Sequence, residues 1–365
     1  MKQRHFDAFA PVCPLCRTRF SQDVPLKIGL VVRADADSIL EGALHCTNKD
    51  CQCEFPILDG IPLLVPQIRT YLSTNIFHLT ARRDLSAEME GMFGDCCGPG
   101  TAWDATRLHL SSYAWDHYGD CDPKETPSDL RPGSVARVLD RGLTLAEGTF
   151  SGLALDVGCS VGRSTFELAR RSSDLVLGVD LNFSMLQLAA EVMKHGTVRY
   201  PRRRVGLVYD RREFAVRFEN SENTDFWICD ATALPFPARK LGAAVCLNVL
   251  DCVASPLDLL RSLERVLGPL APLILSTPYD WSGGVTPAET WIGGHSQRSE
   301  YAGAAEPLLR ALLTPGAHPA SVERLQLLGE DERVPWHVRL HDRSTMTYQV
   351  HLAVARALAG RASDG

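Results

Sequence analysis

Residues 153–170 read LALDVGCSVGRSTFELAR. An apolar run ends on Asp156, turns at once through Gly158 and Gly162, and continues as a helix-forming segment. The pattern predicts a buried strand, a tight turn and the first turns of a helix whose N-terminal amides face a ligand. A dinucleotide turn would place three glycines around a pyrophosphate. Here the spacing is Asp156-x-Gly158-x-Ser160-x-Gly162, an acid and small residues at alternating positions. An acid that close to the turn repels a pyrophosphate and suits a cationic amino-acid end, such as that of S-adenosylmethionine.

Working outward, the run LVLGVD (175–180) ends on Asp180. It lies about 20 residues on, where a carboxylate can accept both hydroxyls of a ribose. A third run, DFWICD (225–230), ends on Asp230 and leads through Ala231 into ATALPFP. There an acid can accept an adenine amino group while apolar neighbours sandwich the ring. GAAVCLNVLDCV (242–253) reads as a fourth strand. Short apolar strands alternating with helical segments predict an α/β architecture with a parallel sheet covered on both faces.

At 365 residues and 45% hydrophobic content, the chain can bury one large core and carry a smaller unit. Three parts are expected. Residues 1–66 are Cys- and Pro-punctuated with short β-type runs, 67–150 read as mostly helical, and 151–365 hold the strand–helix alternation. No run approaches ~18 consecutive apolar residues, and the basic start MKQRHFDAFAPVCPLC is not followed by an apolar core. The expectation is a cytoplasmic protein with no membrane partner. A formal charge of -6 argues against a protein that coats nucleic acid.

Five of the twelve cysteines fall within the first 53 residues. Cys13-x2-Cys16 and Cys46-x4-Cys51 form two thiolate pairs suited to structural Zn2+ in a small β-rich ribbon, with Cys53 a competing fourth ligand. The other cysteines scatter as free thiols of a reducing compartment. The tail CEFPILDGIPLLVP (53–66) resembles the Trm112-like zinc-ribbon family, whose ribbons occur beside or fused to methyltransferases. That tail is too apolar for a free surface, and residues 101–119 are the expected surface for it to cover.

Three strand ends in order, each with the right chemistry, resemble a class I S-adenosylmethionine-dependent methyltransferase. The resemblance implies a seven-stranded, doubly wound Rossmann-like sheet with STMTYQVHLAVAR (344–356) as its antiparallel last strand. It assigns the cofactor to Asp156, Gly158, Ser160, Gly162, Asp180, Asp230 and Ala231, with Asn248 beside it.

The acceptor must be read from the pocket, because methyl transfer needs alignment and removal of a proton rather than elaborate acid–base machinery. Candidate lining comes from Asn248 and Asp251, from Tyr279, Asp280, Trp281, Trp291 and His295, and from Tyr113, His117 and Tyr118 on the preceding helix. Aromatics with Asn, Asp and His suit a small, flat, zwitterionic molecule. The strings SYAWDHYGD, LALDVGCSVGRSTFELAR, NVLD and TPYDWSGGVTPAETWIGGH, with WHVRLHDRSTMTYQVHLAVAR, resemble the C-terminal methyltransferase module of ovothiol synthases over residues 111–357. That resemblance implies N-methylation of the imidazole of a 4-mercaptohistidine (5-thiohistidine) or its selenium analogue, with a partner enzyme supplying the acceptor. Asn248 or Tyr279 would orient the ring and Asp251 or His117 would accept its proton. The alternative is an RNA base methyltransferase that recognises its substrate through the zinc ribbon and the basic stretch VRYPRRRVGLVYDRREF (198–214). The same stretch also reads as a solvated β-hairpin insertion.

Overall fold

Strand-forming runs separated by turn residues account for most of the elements, and the pairing among them decides where the site lies. The computed structural model describes residues 1–126, 130–147 and 150–359, so the end of the C-terminal segment lies outside it. The N-terminal part runs α1 (Gln3–Phe9), α2 (Pro14–Phe20), β1 (Leu26–Asp35), β2 (Ser38–Cys46), β3 (Glu54–Leu58) and β4 (Ile61–Leu64). Helices α3 (Ile68–Thr80), α4 (Ala87–Cys97), α5 (Ala102–Tyr118) and α6 (Ser134–Leu145) follow. Ser86 and Thr101 cap α4 and α5 with side-chain oxygens, as short polar residues do at helix starts.

The alternating part runs β5 (Ala154–Val157), α7 (Arg163–Ala169), β6 (Val176–Asp180), α8 (Phe183–His195), the hairpin β7 (Thr197–Val205) and β8 (Val208–Ala215), then β9 (Thr224–Cys229). It closes with β10 (Ala243–Leu247), α9 (Pro256–Val266), β11 (Pro272–Thr277), α10 (Ala305–Leu312), β12 (Leu325–His341) and β13 (Ser344–Ala357).

One sheet carries eleven strands in the order β1-β2-β3-β4-β9-β6-β5-β10-β11-β13-β12. This corrects the expectation of a seven-stranded sheet with a separate ribbon. The seven strands from β9 to β12 are present, and the N-terminal strands extend them, because β4 pairs parallel with β9 through Leu63↔Ile228 and Leu64↔Cys229. Strand β13 is antiparallel, yet it lies between β11 and β12, which leaves β12 at the edge. The hairpin β7–β8 stands apart from the sheet, but it is not the solvated insertion the sequence suggested, because Val198, Tyr200 and Phe214 are buried and Arg203 donates its amide to Ser111 of α5.

The apolar tail is buried in this seam, with every residue of β4 inside, rather than laid on residues 101–119. Other contacts sew the same junction. Lys2 donates its amide to Asp225 Oδ2 at 2.8 Å, Val12 donates to the Pro235 carbonyl at 2.9 Å, and Phe9 meets Trp227 and Phe236. The N-terminal unit therefore buttresses both β9 and the loop that follows it. On one face of the sheet, Val135, Val138, Leu139 and Leu143 of α6 recur at helical spacing and pack on Ala154, Val245, Ile274 and Leu352. Among the described residues no helix is long and apolar enough to cross a membrane.

Candidate active site

Strands β9, β6, β5 and β10 run parallel, so their carboxyl ends fall on one edge of the sheet, where ligands bind in open α/β folds. The turn after β5 is held by the Gly158 and Cys159 amides, which donate to the Val179 carbonyl at 2.8 and 3.0 Å. Gly158 and Gly162 have φ of +71° and +90°. A Cβ on Gly158 would fall 2.2 Å from Val249 Cγ2, and one on Gly162 would fall 2.7 Å from Ala189 Cβ, so both positions require glycine. From beneath, Tyr118 donates its hydroxyl to the Val161 carbonyl at 2.6 Å. Its hydroxyl is committed to that bond, which makes it a prop of the turn.

The strand-end acids are each tied down. Asp156 Oδ2 accepts the hydroxyls of Ser164 and Thr165 at 2.7 Å, joining β5 to the first turn of α7. Burial pushes its carboxyl up to about 6 despite those bonds. Asp180 accepts the Ser160 amide on Oδ2 at 2.9 Å and the Asn182 amide on Oδ1 at 2.8 Å, and burial raises its pKa as well. Asp230 Oδ1 accepts both the amide and the hydroxyl of Thr232, and the buried Ala231 follows it. The donor set fits S-adenosylmethionine: a carboxylate for the ribose, an acid beside apolar residues for adenine, and a glycine turn at a helix start. Tyr71 of α3, which the sequence did not single out, closes over this edge by donating to the Leu181 carbonyl at 2.8 Å.

The acceptor side is built from β10, β11 and β13. Asn248 and Tyr279 both adopt φ of +56°, and Ser160 in the turn adopts +52°. Such a conformation costs a bulky residue about 1–3 kcal/mol and concentrates at functional sites. The Asn248 amide donates to the Ser276 carbonyl, and its Oδ1 accepts the Ser276 hydroxyl, both at 2.8 Å. Asp251 is 1% exposed; its Oδ2 accepts the Asp280 amide at 2.8 Å, while Oδ1 is buried with no hydrogen-bond partner among the described residues. Burial pushes this carboxyl up to about 6. Tyr348 of β13 donates to Asp280 Oδ2 at 2.9 Å, and the exposed Tyr113 of α5 lies within electrostatic reach of Asp180, Asp251 and Cys252.

Tyr279 shares a 2.6 Å hydrogen bond with His351 Nδ1, whose Nε2 meets Glu330 at 3.1 Å; Arg310 holds Glu330 in turn at 2.8 Å. The chain of contacts fixes the phenol, and burial raises its pKa. Trp281 and Trp291 stack with centroids 5.8 Å apart, and His295 beyond them is exposed. His117 is placed differently from the other candidates. Its Nδ1 accepts the Arg163 amide at 3.3 Å, and burial lowers the ring to about 3, so it stays neutral as a cap of α7.

In the N-terminal unit the sulfurs of Cys13, Cys16, Cys46 and Cys51 lie within 4.8 Å of one another, and Cys53 is not among them. Cys13 Sγ to Cys51 Sγ is 3.8 Å and Cys16 Sγ to Cys46 Sγ is 3.7 Å. Thiolates at ~2.3 Å around a tetrahedral zinc are about 3.8 Å apart, so the cluster can hold that ion.

The chain is similar to known proteins over part of its length. The curated ubiquinone biosynthesis O-methyltransferase of Histophilus somni is 25% identical over 163 residues, 45% of this chain and 57% of that protein. The chain thus spans little more than half of that relative. Among solved structures, a S-adenosylmethionine-dependent methyltransferase of Methanosarcina mazei aligns with 57% of this chain and 94% of its own (19% identity, TM-score 0.37). The complex of the Haloferax volcanii Trm112 methyltransferase activator with a methyltransferase aligns over 63% and 100% (14% identity, TM-score 0.35). Residues 155–275 match the family model described as a methyltransferase domain. That match spans the glycine turn, Asp180 and the strand leading to Asp251, and it supports a S-adenosylmethionine-dependent methyltransferase activity for this part of the chain.

Proposed function

We propose that the enzyme methylates an imidazole ring nitrogen of a small histidine-derived thiol or selenol, of the 5-thiohistidine or 5-selenohistidine type. The observation that carries this reading is the buried Asp251 carboxyl just past β10, whose Oδ1 has no hydrogen-bond partner among the described residues. A buried acceptor without a donor calls for a ligand N–H, and an imidazole offers one. Bound S-adenosylmethionine supplies an electrophilic methyl group. Asp251 receives the ring N–H, directs the opposite nitrogen toward the cofactor side, and takes the proton that methylation makes acidic. Aiming nitrogen in this way keeps the more charged chalcogen off the methyl. Asp280, steadied by Tyr348, suits the ammonium end of the zwitterion, and the Tyr279–His351–Glu330 chain holds one wall of the pocket rigid. A separate enzyme must install the chalcogen on the imidazole before this step.

The hairpin arginines bear on the RNA alternative. Arg202 and Arg204 meet Asp210 and Asp342, Arg211 meets Glu90, and Arg212 meets Asp122. Carboxylates neutralise most of the stretch, which favours the small-molecule reading. The Cys13, Cys16, Cys46 and Cys51 cluster is assigned a structural zinc, since four thiolates leave no open coordination position.

The direct test is mass spectrometry of purified protein with S-adenosylmethionine and a panel of 5-thiohistidine, 5-selenohistidine, histidine, simple thiols and bulk RNA. One methyl on a ring nitrogen of a thio- or selenohistidine is expected; methyl found only on RNA would overturn the reading. Because Asp251 must be ionised to take a proton, kcat/KM should rise with pH through about 6 and level off above it. Asp251→Asn should abolish that limb and lower kcat by about 10²-fold or more; an unchanged profile removes Asp251 from the chemistry. One zinc per chain is expected by elemental analysis. Cys46→Ser should release it and lower Tm by about 5 °C or more, whereas zinc-free wild-type protein with the same Tm contradicts the assignment.

A further inference from the structure

A second cavity lies away from the strand-end cleft, between α3, α4, α5, α8 and the β7–β8 hairpin. Arg82, Arg83, Arg107, Arg199 and Arg211 line it, with Phe77 and Trp103 as aromatic walls. Arg82 is held by Asp84 at 2.7 Å and Arg211 by Glu90 at 2.8 Å. Among the described residues, Arg83, Arg107 and Arg199 make no ion pair with a carboxylate.

Arg107 is the most constrained of them. It is 6% exposed, and its Nε and Nη1 have no hydrogen-bond partner among the described residues. Its guanidinium lies flat on the Tyr209 ring, 3.9 Å from the centroid, and its Nη1 would fall 1.7 Å from a Cβ on Gly94 of α4. Stacking fixes the plane of the fork and leaves its N–H groups unsatisfied. Arg83 Nη1 and Trp103 Nε1 are also buried without acceptors, and Arg199 donates to the Arg83 carbonyl, which holds these two arginines side by side. Holding the buried Arg107 close to the half-buried Arg83 and the exposed Arg199 costs free energy through lost solvation and mutual repulsion. An anion in the cavity relieves both, and the planar fork matches phosphate and carboxylate.

We propose that this cavity is a binding site for a small organic anion, distinct from the cofactor and acceptor cleft. Its phosphate or carboxylate lies on Arg83, Arg107 and Arg199, and its flat apolar body lies against Phe77 and Trp103. Isothermal titration of the full chain with phenyl phosphate and with inorganic phosphate tests this. One phenyl phosphate per chain is expected, bound about 10-fold more tightly than inorganic phosphate because only the former covers the aromatic walls. Arg83→Gln and Arg107→Met should each weaken binding by about 10-fold or more. Asp251→Asn should leave it unchanged. If Arg107→Met unfolds, as its stacked position allows, Arg83→Gln with a wild-type melting curve keeps the test open. No saturable binding to wild type, or equal affinity in Arg83→Gln, overturns the proposal. So does binding of an RNA oligonucleotide through these arginines without binding of phenyl phosphate.

Discussion

The parallel pairing of β9, β6, β5 and β10 is the constraint on which the site depends. Neighbouring strands that point the same way end at the same edge, so the residues that close each strand form a row. Here the row includes Asp230, Asp180 and the glycine turn after Asp156, with Asn248 and Asp251 just past β10. Bringing carboxylates together at a partly buried edge costs solvation, seen in the raised pKa values of Asp156, Asp180 and Asp251. Backbone amides and hydroxyls offset that cost at Asp156 and Asp180. At Asp251 one oxygen has no hydrogen-bond partner among the described residues.

The same sheet explains why the N-terminal unit is part of the enzyme rather than an appendage. Strand β9 is buried along its whole length and would be a sticky edge if left uncovered. β4 satisfies it with a parallel pairing, while Phe9 and Val12 grip the loop that follows Asp230. The cysteine cluster lies in this same unit.

The glycine turn and the strand-end acids were legible because local sequence dictates them: an apolar run, a φ that only glycine tolerates, and an acid where the strand stops. The pairing of β4 with β9 was not legible, since IPLL reads as a strand whose partner, more than 150 residues away, leaves no mark on it. Polar residues recruited by tertiary folding were equally hidden. Tyr71 reaches the loop after Asp180 from a helix of low amphipathicity, and Tyr348 and His351 reach Asp280 and Tyr279 from a strand the sequence named only as the antiparallel last strand of the sheet. Tyr118 and His117 illustrate the reverse. Both sit in a string that suggested acceptor contacts, and helix α5 turns both toward the interior, where they brace the glycine turn and cap α7.

The account rests on the acceptor lying against Asp251 at the end of β10. A crystal structure with S-adenosylhomocysteine and 5-thiohistidine bound tests it most directly. The account predicts an imidazole N–H on Asp251 Oδ1 with the opposite ring nitrogen facing the cofactor sulfur. An imidazole that leaves Asp251 unpartnered, or that presents its thiolate to the cofactor, would contradict it.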